Sequence, residues 1–238
     1  MEIFYIAVTM AFVPALMLMY LMLRPYTYPA TEYPYFSDPS FFMLFAVGLV
    51  AGTILFLVFS YIMGNIITLI VYALIQVMVI VACMNLKRYR GKSDSIFYGY
   101  GFGLGAGATT GTGLIYWLAN SADRLGGSLG FEDYLVLLIL ALAMILQFSS
   151  VGVTVGDGIA RHIPMQYAVQ AMIYNVVFWA VFWIALYNVD STTYFILASI
   201  MCLAISAGYL MYAFKREVEL MVREVDRMNA KAAKKNRD

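Results

Sequence analysis

Neutral polar side chains are the groups in this sequence that could do chemistry inside a membrane. They stand within long apolar stretches, where such groups either bond neighbouring helices to each other or line a polar cavity. The set that could line a cavity is Thr109, Thr110, Thr112, Gln147 and Ser149. A cavity of hydroxyl and amide groups suits a neutral solute, so a channel or neutral-solute transporter is one functional hypothesis.

Carboxylates, which acid–base catalysis and proton-coupled transport both need, stand at the ends of the apolar stretches. Asp94, Asp157 and Asp190 lie at such ends, and Glu217 lies in a charged tail. An ionisable residue in the middle of a span is a functional candidate because its burial is costly, and the sequence predicts none there. The single histidine, His162, has no second His or Cys nearby. We therefore expect no catalytic residue, no metal and no cofactor, while enzymatic activity is left open.

Seven glycines alternate through the segment 94–117, which carries no charge after its first residue. One row steps by four residues and a second row lies between its members: Gly99, Gly103, Gly107 and Gly111, then Gly101, Gly105 and Gly113. Rows of small residues let helix backbones approach closely in a membrane. The pattern predicts a central helix packed on two sides, or a groove in which a partner segment lies against bare backbone.

This segment resembles the glycine-rich core motif of PrsW-type intramembrane proteases, relatives of the CAAX-protease group, over about residues 65–117. The matching positions are Asp94, Tyr98, Gly99, Gly103, Gly105 and Tyr116. The resemblance implies a multi-helix membrane fold and, in active members, cleavage of other membrane proteins. However, the family's Glu-Asn pair falls on Thr112 and Gly113, residues 66–86 hold no Glu, and His162 precedes a helix instead of lying within one. The resemblance therefore implies a degenerate relative without catalysis, and an active intramembrane protease is an alternative.

The elements that carry these residues are predicted to be membrane helices. Of the 238 residues, 63% are hydrophobic and 12% are charged, whereas a soluble domain carries about 25% charged residues. Mean hydropathy is +0.81. An all-α polytopic membrane protein is the fold class that these values indicate. Seven apolar stretches are each long enough to cross a bilayer: about 3–23, 41–62, 66–86, 96–118, 134–155, 165–187 and 192–214. Cys83 and Cys202 fall within them and are predicted to be buried packing thiols.

The basic residues predict the orientation of these spans. With the C-terminus in the cytoplasm, only Arg124 of the 15 Lys and Arg residues lies outside, as the positive-inside rule requires. The N-terminus is then outside, and the first helix is expected to persist because no cleavage site follows it. We predict one transmembrane domain over 1–214 and a cytoplasmic tail over 215–238.

The tail has the pattern of a basic amphipathic helix. Its apolar stripe and terminal lysines are Val218, Met221, Val225, Met228, Lys231, Lys234 and Lys235. Such a helix lies on anionic lipid or packs against a partner helix. The expected partners are therefore membrane lipid and other membrane proteins, with no nucleic acid. The leading hypothesis is a non-catalytic scaffold or accessory subunit in a prokaryotic cell membrane.

Overall fold

The structure, a computed structural model, describes residues 2–31, 35–124, 130–189 and 191–235, without the side chains of 122–124 and 228–235. Within these ranges the chain is helical and forms no named strand. The first seven helices are α1 (Glu2–Leu23), α2 (Asp38–Ile62), α3 (Ile66–Met84), α4 (Ser95–Arg124), α5 (Phe131–Ala160), α6 (Pro164–Tyr187) and α7 (Thr192–Ala213). A π-helical segment, Phe214–Val218, leads without a break into α8 (Glu219–Lys235). The predicted all-helical class is confirmed.

Six helices in the described part of the chain are long and apolar enough to cross a membrane. These are α1, α2, α3, α5, α6 and the helix that contains α7. At 30 residues α4 is also long enough, but its glycines and threonines make it less apolar than the others. The chain is therefore an integral, multi-pass membrane protein. Five of the seven predicted stretches lie within their helices, whereas 192–214 runs one residue beyond α7 and 66–86 runs two residues beyond α3.

The two glycine rows of α4 face two different helices. The first row faces α5, where a Cβ atom on Gly107 would lie 2.7 Å from the Ile145 Cα and one on Gly103 would lie 2.6 Å from the Ser149 Cα. The second row faces α2, where Gly105 meets the backbone of Phe45. Backbones this close leave no space for a methyl group. Both faces of α4 are therefore filled by helices of this chain.

The other helices surround this α2–α4–α5 centre. Helix α1 packs on α4 through Ala7, Ala11 and Ala15, which are fully buried, α7 packs on α5, and α3 packs chiefly on α6. The hairpin between α2 and α3 is closed by a capping box, in which the Asn65 Oδ1 accepts a hydrogen bond from the Thr68 N–H at 3.0 Å. Of the two cysteines, Cys202 is buried and Cys83 is half-buried, and both thiols are free.

Several connections meet at one end of the bundle, here called the α8 end. The turn at residues 161–163 contains His162 with a positive φ of 62°, and the neighbouring Gly91 N–H donates to the Ile159 carbonyl oxygen at 3.1 Å. Helix α8 lies at the same end, because the Arg161 guanidinium is 3.6 Å from the Glu224 carboxylate. The side chains of Met228, Lys231, Lys234 and Lys235, which the sequence assigned to tail contacts, lie outside the described residues.

Candidate functional site

Polar side chains follow one face of α5 toward the α8 end. Gln147, Ser150, Thr154, Asp157 and Arg161 are spaced by three or four residues, so they share one face of a helix. This helix is the most enclosed of the six candidate spans, with 83% of its apolar window buried against at most 39% in the others. Because buried polar groups need partners, this face must be matched by polar groups on neighbouring helices.

The first set of partners for this face is a hydrogen-bond network of neutral side chains on α3, α5 and α6. The Gln147 Nε2 donates to the Asn175 Oδ1 at 3.1 Å, and the Asn175 Nδ2 donates to the Ala73 carbonyl at 2.8 Å and to the Gln76 Oε1 at 3.2 Å. The Trp179 Nε1 donates to the same Gln76 oxygen at 2.8 Å. All four side chains in this network are fully buried. The network fixes the register of three helices, since a lost partner leaves a buried polar group unsatisfied.

The second partner for this face of α5 is a carboxyl group from the segment that follows α7. Glu217 is only 4% exposed. Its Oε1 accepts hydrogen bonds from the Thr154 Oγ1 at 3.3 Å and from the Gln170 Nε2 at 3.4 Å, while the Tyr209 hydroxyl donates to the Thr154 Oγ1 at 2.9 Å. The Glu217 Oε2 is buried and has no hydrogen-bond partner among the described residues. An incompletely paired carboxyl in a π-helical segment is typical of a functional position.

A second buried carboxyl lies nearby on α5, but it is paired. Asp157 is 2% exposed, and its Oδ1 accepts a hydrogen bond from the Arg161 Nε at 2.8 Å. The same guanidinium reaches Glu224 on α8, whose side chain is half exposed. Arg161 therefore links a buried carboxylate of the bundle to an exposed one of the tail helix. Asp157 has a direct ion-pair partner in Arg161, whereas Glu217 has no ion-pair partner among the described residues.

The tail helix is also attached to the loop between α1 and α2. The Tyr35 hydroxyl donates to the Asp226 Oδ1 at 2.7 Å. Burial, and then the hydrogen bond with Asp226, raise the pKa of Tyr35 to about 12, so the phenol keeps its proton as a donor at neutral pH. The loop is in turn attached to α4, because the Ser37 N–H donates to the Tyr98 hydroxyl at 3.1 Å. Helix α8 is thus connected to α4 through the loop as well as to α5.

The five residues assigned to a polar cavity lie in separate environments. Thr109 and Thr112 bond to carbonyl oxygens of their own helix, whereas Thr110 donates to the Gly52 carbonyl on α2 at 3.2 Å. Gln147 belongs to the neutral network, and the Ser149 hydroxyl is buried without a partner among the described residues. The structure therefore does not bring the five together, although Ser149 stays a candidate for further polar contacts.

Sequence reasoning missed Glu217 because the composition changes at residue 215, where charged residues begin. The signal that could have found it is a four-residue step: Tyr209, Ala213 and Glu217 repeat at helical spacing, and the first two are buried. No Gly or Pro follows residue 213 to end the helix. The buried face of α7 therefore continues into the charged segment and carries this carboxyl with it.

No protein-family model, curated protein or solved structure matches this chain. The residues that carry the resemblance to the PrsW group do not form one cluster. The Tyr98 hydroxyl donates to the Asp94 Oδ2 at 2.9 Å, whereas Tyr116 lies 18 residues further along α4, about 27 Å away at 1.5 Å per residue. In the described part of the chain, no three His, Cys, Asp or Glu side chains come together as a metal site. Kinship with that group stays a prediction.

Proposed function

We propose that this protein is a non-catalytic membrane protein that binds other membrane segments, as a scaffold or as an accessory subunit of a membrane complex. The observation that carries the proposal is the fixed position of α8. Its inner face is buried at Met221, which is 7% exposed, and Val218, just before the helix begins, is 1% exposed, whereas Leu220 is 45% exposed. A helix held on one side by a bundle and exposed on the other is a preformed surface for a partner.

Polar contacts support the view that α8 is held rigidly. Arg161 joins it to α5, Tyr35 joins it to the α1–α2 loop, and Glu217 joins its connecting segment to α5 and α6. A free helix of this length is only marginally stable in water, so attachment to the bundle is what keeps it folded. The glycine rows of α4 are filled by this chain's own helices, so the partner surface is assigned to α8 and to the lipid-facing helices.

The topology that we propose has seven spans, with the N-terminus outside and the C-terminus in the cytoplasm of a prokaryotic cell. The turn at 161–163, the basic loop around Gly91 and α8 all meet at the α8 end. This end therefore carries the basic segments that the positive-inside rule assigns to the cytoplasm. Arg124, the last residue of α4, lies at the opposite end, where α5 begins at Phe131.

A second candidate function is coupled movement of a proton or ion, as a variant of the transporter hypothesis. Glu217 favours it, because one oxygen of this buried carboxyl has no partner among the described residues. Buried carboxyls in membrane proteins often serve proton relays. We rank this function second because the glycine-mediated contacts of α4 with α2 and α5 leave little room for a path between these helices.

The experiment that tests the scaffold function is quantitative copurification from native membranes at the natural expression level. Leu220→Glu with Arg223→Glu changes the exposed face of α8, where the Arg223 side chain is 68% exposed. We expect this double variant to lose the proteins that copurify with the wild type. Phe131→Glu, at an 83% exposed position near the opposite end, is the matched control and should retain them.

The same experiment distinguishes the two functions. Glu217→Gln removes the ionisable group without changing the outer face of α8, so the scaffold function predicts an unchanged set of partners. Loss of biological activity in Glu217→Gln with all partners retained would favour proton or ion coupling. Retention of every partner by the double variant would contradict the scaffold function of α8.

A further inference from the structure

A groove of about 670 Å³ lies between the end of α1, the loop that follows it and the start of α2. This volume is within the range of about 300–1,000 Å³ that small-molecule sites occupy. Its apolar wall includes Leu23 and Phe41, which are buried, and Phe42, which is half exposed. Tyr28, 81% exposed, also lines it. The groove therefore offers an apolar surface together with an aromatic group of the kind that favours the membrane–water boundary.

Two opposite charges line the same groove and do not neutralise each other. Arg24 stands just after the last residue of α1, and Asp38 is the first residue of α2. No ion pair among the described residues joins them. Both residues are exposed. A ligand that satisfies both charges must carry an anionic group and a cationic group on one molecule.

The position of the groove restricts the ligand further. The ends of two membrane-spanning helices, α1 and α2, form it, so the charged residues lie near the level of the lipid headgroups and the apolar wall lies beside the acyl chains. Guanidinium groups bind phosphate through charge-assisted hydrogen bonds, and carboxylates accept hydrogen bonds from ammonium groups. One class of molecule at this level combines phosphate, ammonium and apolar chains.

We propose that this groove is a binding site for a zwitterionic phospholipid. Arg24 binds the phosphate, Asp38 binds the ammonium group, and one acyl chain lies along Tyr20 and Phe42, exposed aromatic side chains that line the groove. The site selects its lipid by the pair of charges, because an anionic lipid leaves Asp38 without a partner and an uncharged lipid leaves both residues without one. No described side chain of α8 lines this groove.

The test is a titration of the full-length protein in detergent, followed by native mass spectrometry. The probes are phosphatidylethanolamine, phosphatidylglycerol and diacylglycerol with the same chains, which differ only in the headgroup. We expect the wild type to bind phosphatidylethanolamine most tightly and diacylglycerol most weakly. Arg24→Gln should weaken phosphatidylethanolamine binding about tenfold or more, the usual effect of losing a charge-assisted hydrogen bond. Asp38→Asn should reduce phosphatidylethanolamine binding to the level of phosphatidylglycerol.

Arg88→Gln is the matched control. Arg88 is an exposed arginine at the same end that bonds to Ser40 and Met43 of α2 but does not line the groove. It should leave phosphatidylethanolamine affinity within about twofold, because an exposed charge outside the groove interacts only weakly with the bound lipid. Arg24→Lys keeps the charge and should retain most of the binding. Binding by this variant would show that substitution at residue 24 does not itself unfold the protein. Equal affinity for the three lipids, or equal losses in Arg24→Gln and Arg88→Gln, would overturn the proposal.

Discussion

At the scale of single residues, Glu217 joins three parts of the molecule through one oxygen atom. Thr154 on α5 and Gln170 on α6 both donate to the Glu217 Oε1. Hydrogen bonds to a buried group contribute modestly when made but cost about 1–3 kcal/mol when one partner is removed and the other stays buried. Ionisation of this carboxyl is a separate effect, because an unpaired buried charge is itself costly.

Two substitutions at this position separate the two effects. Glu217→Leu removes the acceptor and leaves Thr154 and Gln170 with unsatisfied donors, so we expect it to reduce the free energy of unfolding by about 1–3 kcal/mol. Glu217→Gln keeps an acceptor oxygen and removes the ionisable group, so its effect should be smaller. Thermal unfolding in detergent measures both. The matched control is Glu219→Gln, at a position two residues away with a half-exposed side chain, which should change little. Equal melting of wild type and Glu217→Leu would show that these hydrogen bonds do not support the fold.

For the residues of this site, the sequence predicts which polar groups are buried within a span but not which groups they contact. Gln147 was recognisable as a buried polar group because it stands inside an apolar stretch. Its partner Asn175 was recognisable for the same reason, but nothing in the sequence shows that α5 and α6 bring the two within 3.1 Å. Glu217 was assigned to the exposed tail because its neighbours are charged. Burial of such a residue depends on the path of α8, which tertiary contacts determine.

At the scale of helices, the contact between α4 and α5 depends on the absence of side chains. A Cβ atom on Gly107 would lie 2.7 Å from the Ile145 Cα, whereas one on Gly111 would lie 3.6 Å from the Ala141 Cα, an ordinary contact distance. The same interface is therefore tight at one position and relaxed one turn further along. The two rows of glycines could be predicted from sequence, but this difference between positions could not.

A pair of alanine substitutions uses this difference. Gly107→Ala should destabilise the protein by about 1–3 kcal/mol, since an extra methyl group must push two backbones apart. Gly111→Ala has room for the methyl group and should be neutral or stabilising by up to about 1 kcal/mol, because Ala favours helix more than Gly. Unfolding in detergent or denaturant compares them. If both variants behave alike, close backbone contact does not limit the stability of this interface.

Attachment of α8 can be tested with two neighbouring residues. Met221 is 7% exposed and Leu220 is 45% exposed, so Met221→Asp should release the helix while Leu220→Asp should not. Burying a methionine side chain contributes about 1.5–3 kcal/mol, and a buried aspartate adds a further cost. Amide hydrogen exchange over residues 219–227 is the measurement, with lost protection expected only in Met221→Asp. Equal protection in the two variants would show that α8 is not held by its apolar face.

At the scale of the whole molecule, the seven helices could be predicted, but their arrangement could not. Hydropathy and length give the stretches directly, because a helix that crosses the bilayer needs about 20 predominantly apolar residues. In contrast, α3 packs on α6, far away in sequence, and α2 packs on α4. Helices that are apolar on all sides carry no stripe to show which face meets a neighbour. Of the seven helices, α4 with its two glycine rows was the one for which the sequence analysis predicted packing faces.

Topology is the property of the whole molecule that labelling can determine. In a Cys83→Ala, Cys202→Ala background, single cysteines replace Glu2, Lys92 or Phe131, which are all exposed. The seven-span arrangement predicts that a membrane-impermeant maleimide labels positions 2 and 131 in intact cells and position 92 only after permeabilisation. The physical reason is that each span reverses the side of the next loop, and the basic loop around Lys92 favours the cytoplasm. Labelling of 92 and 131 from the same side would show that α4, the least apolar of the seven helices, does not cross the membrane.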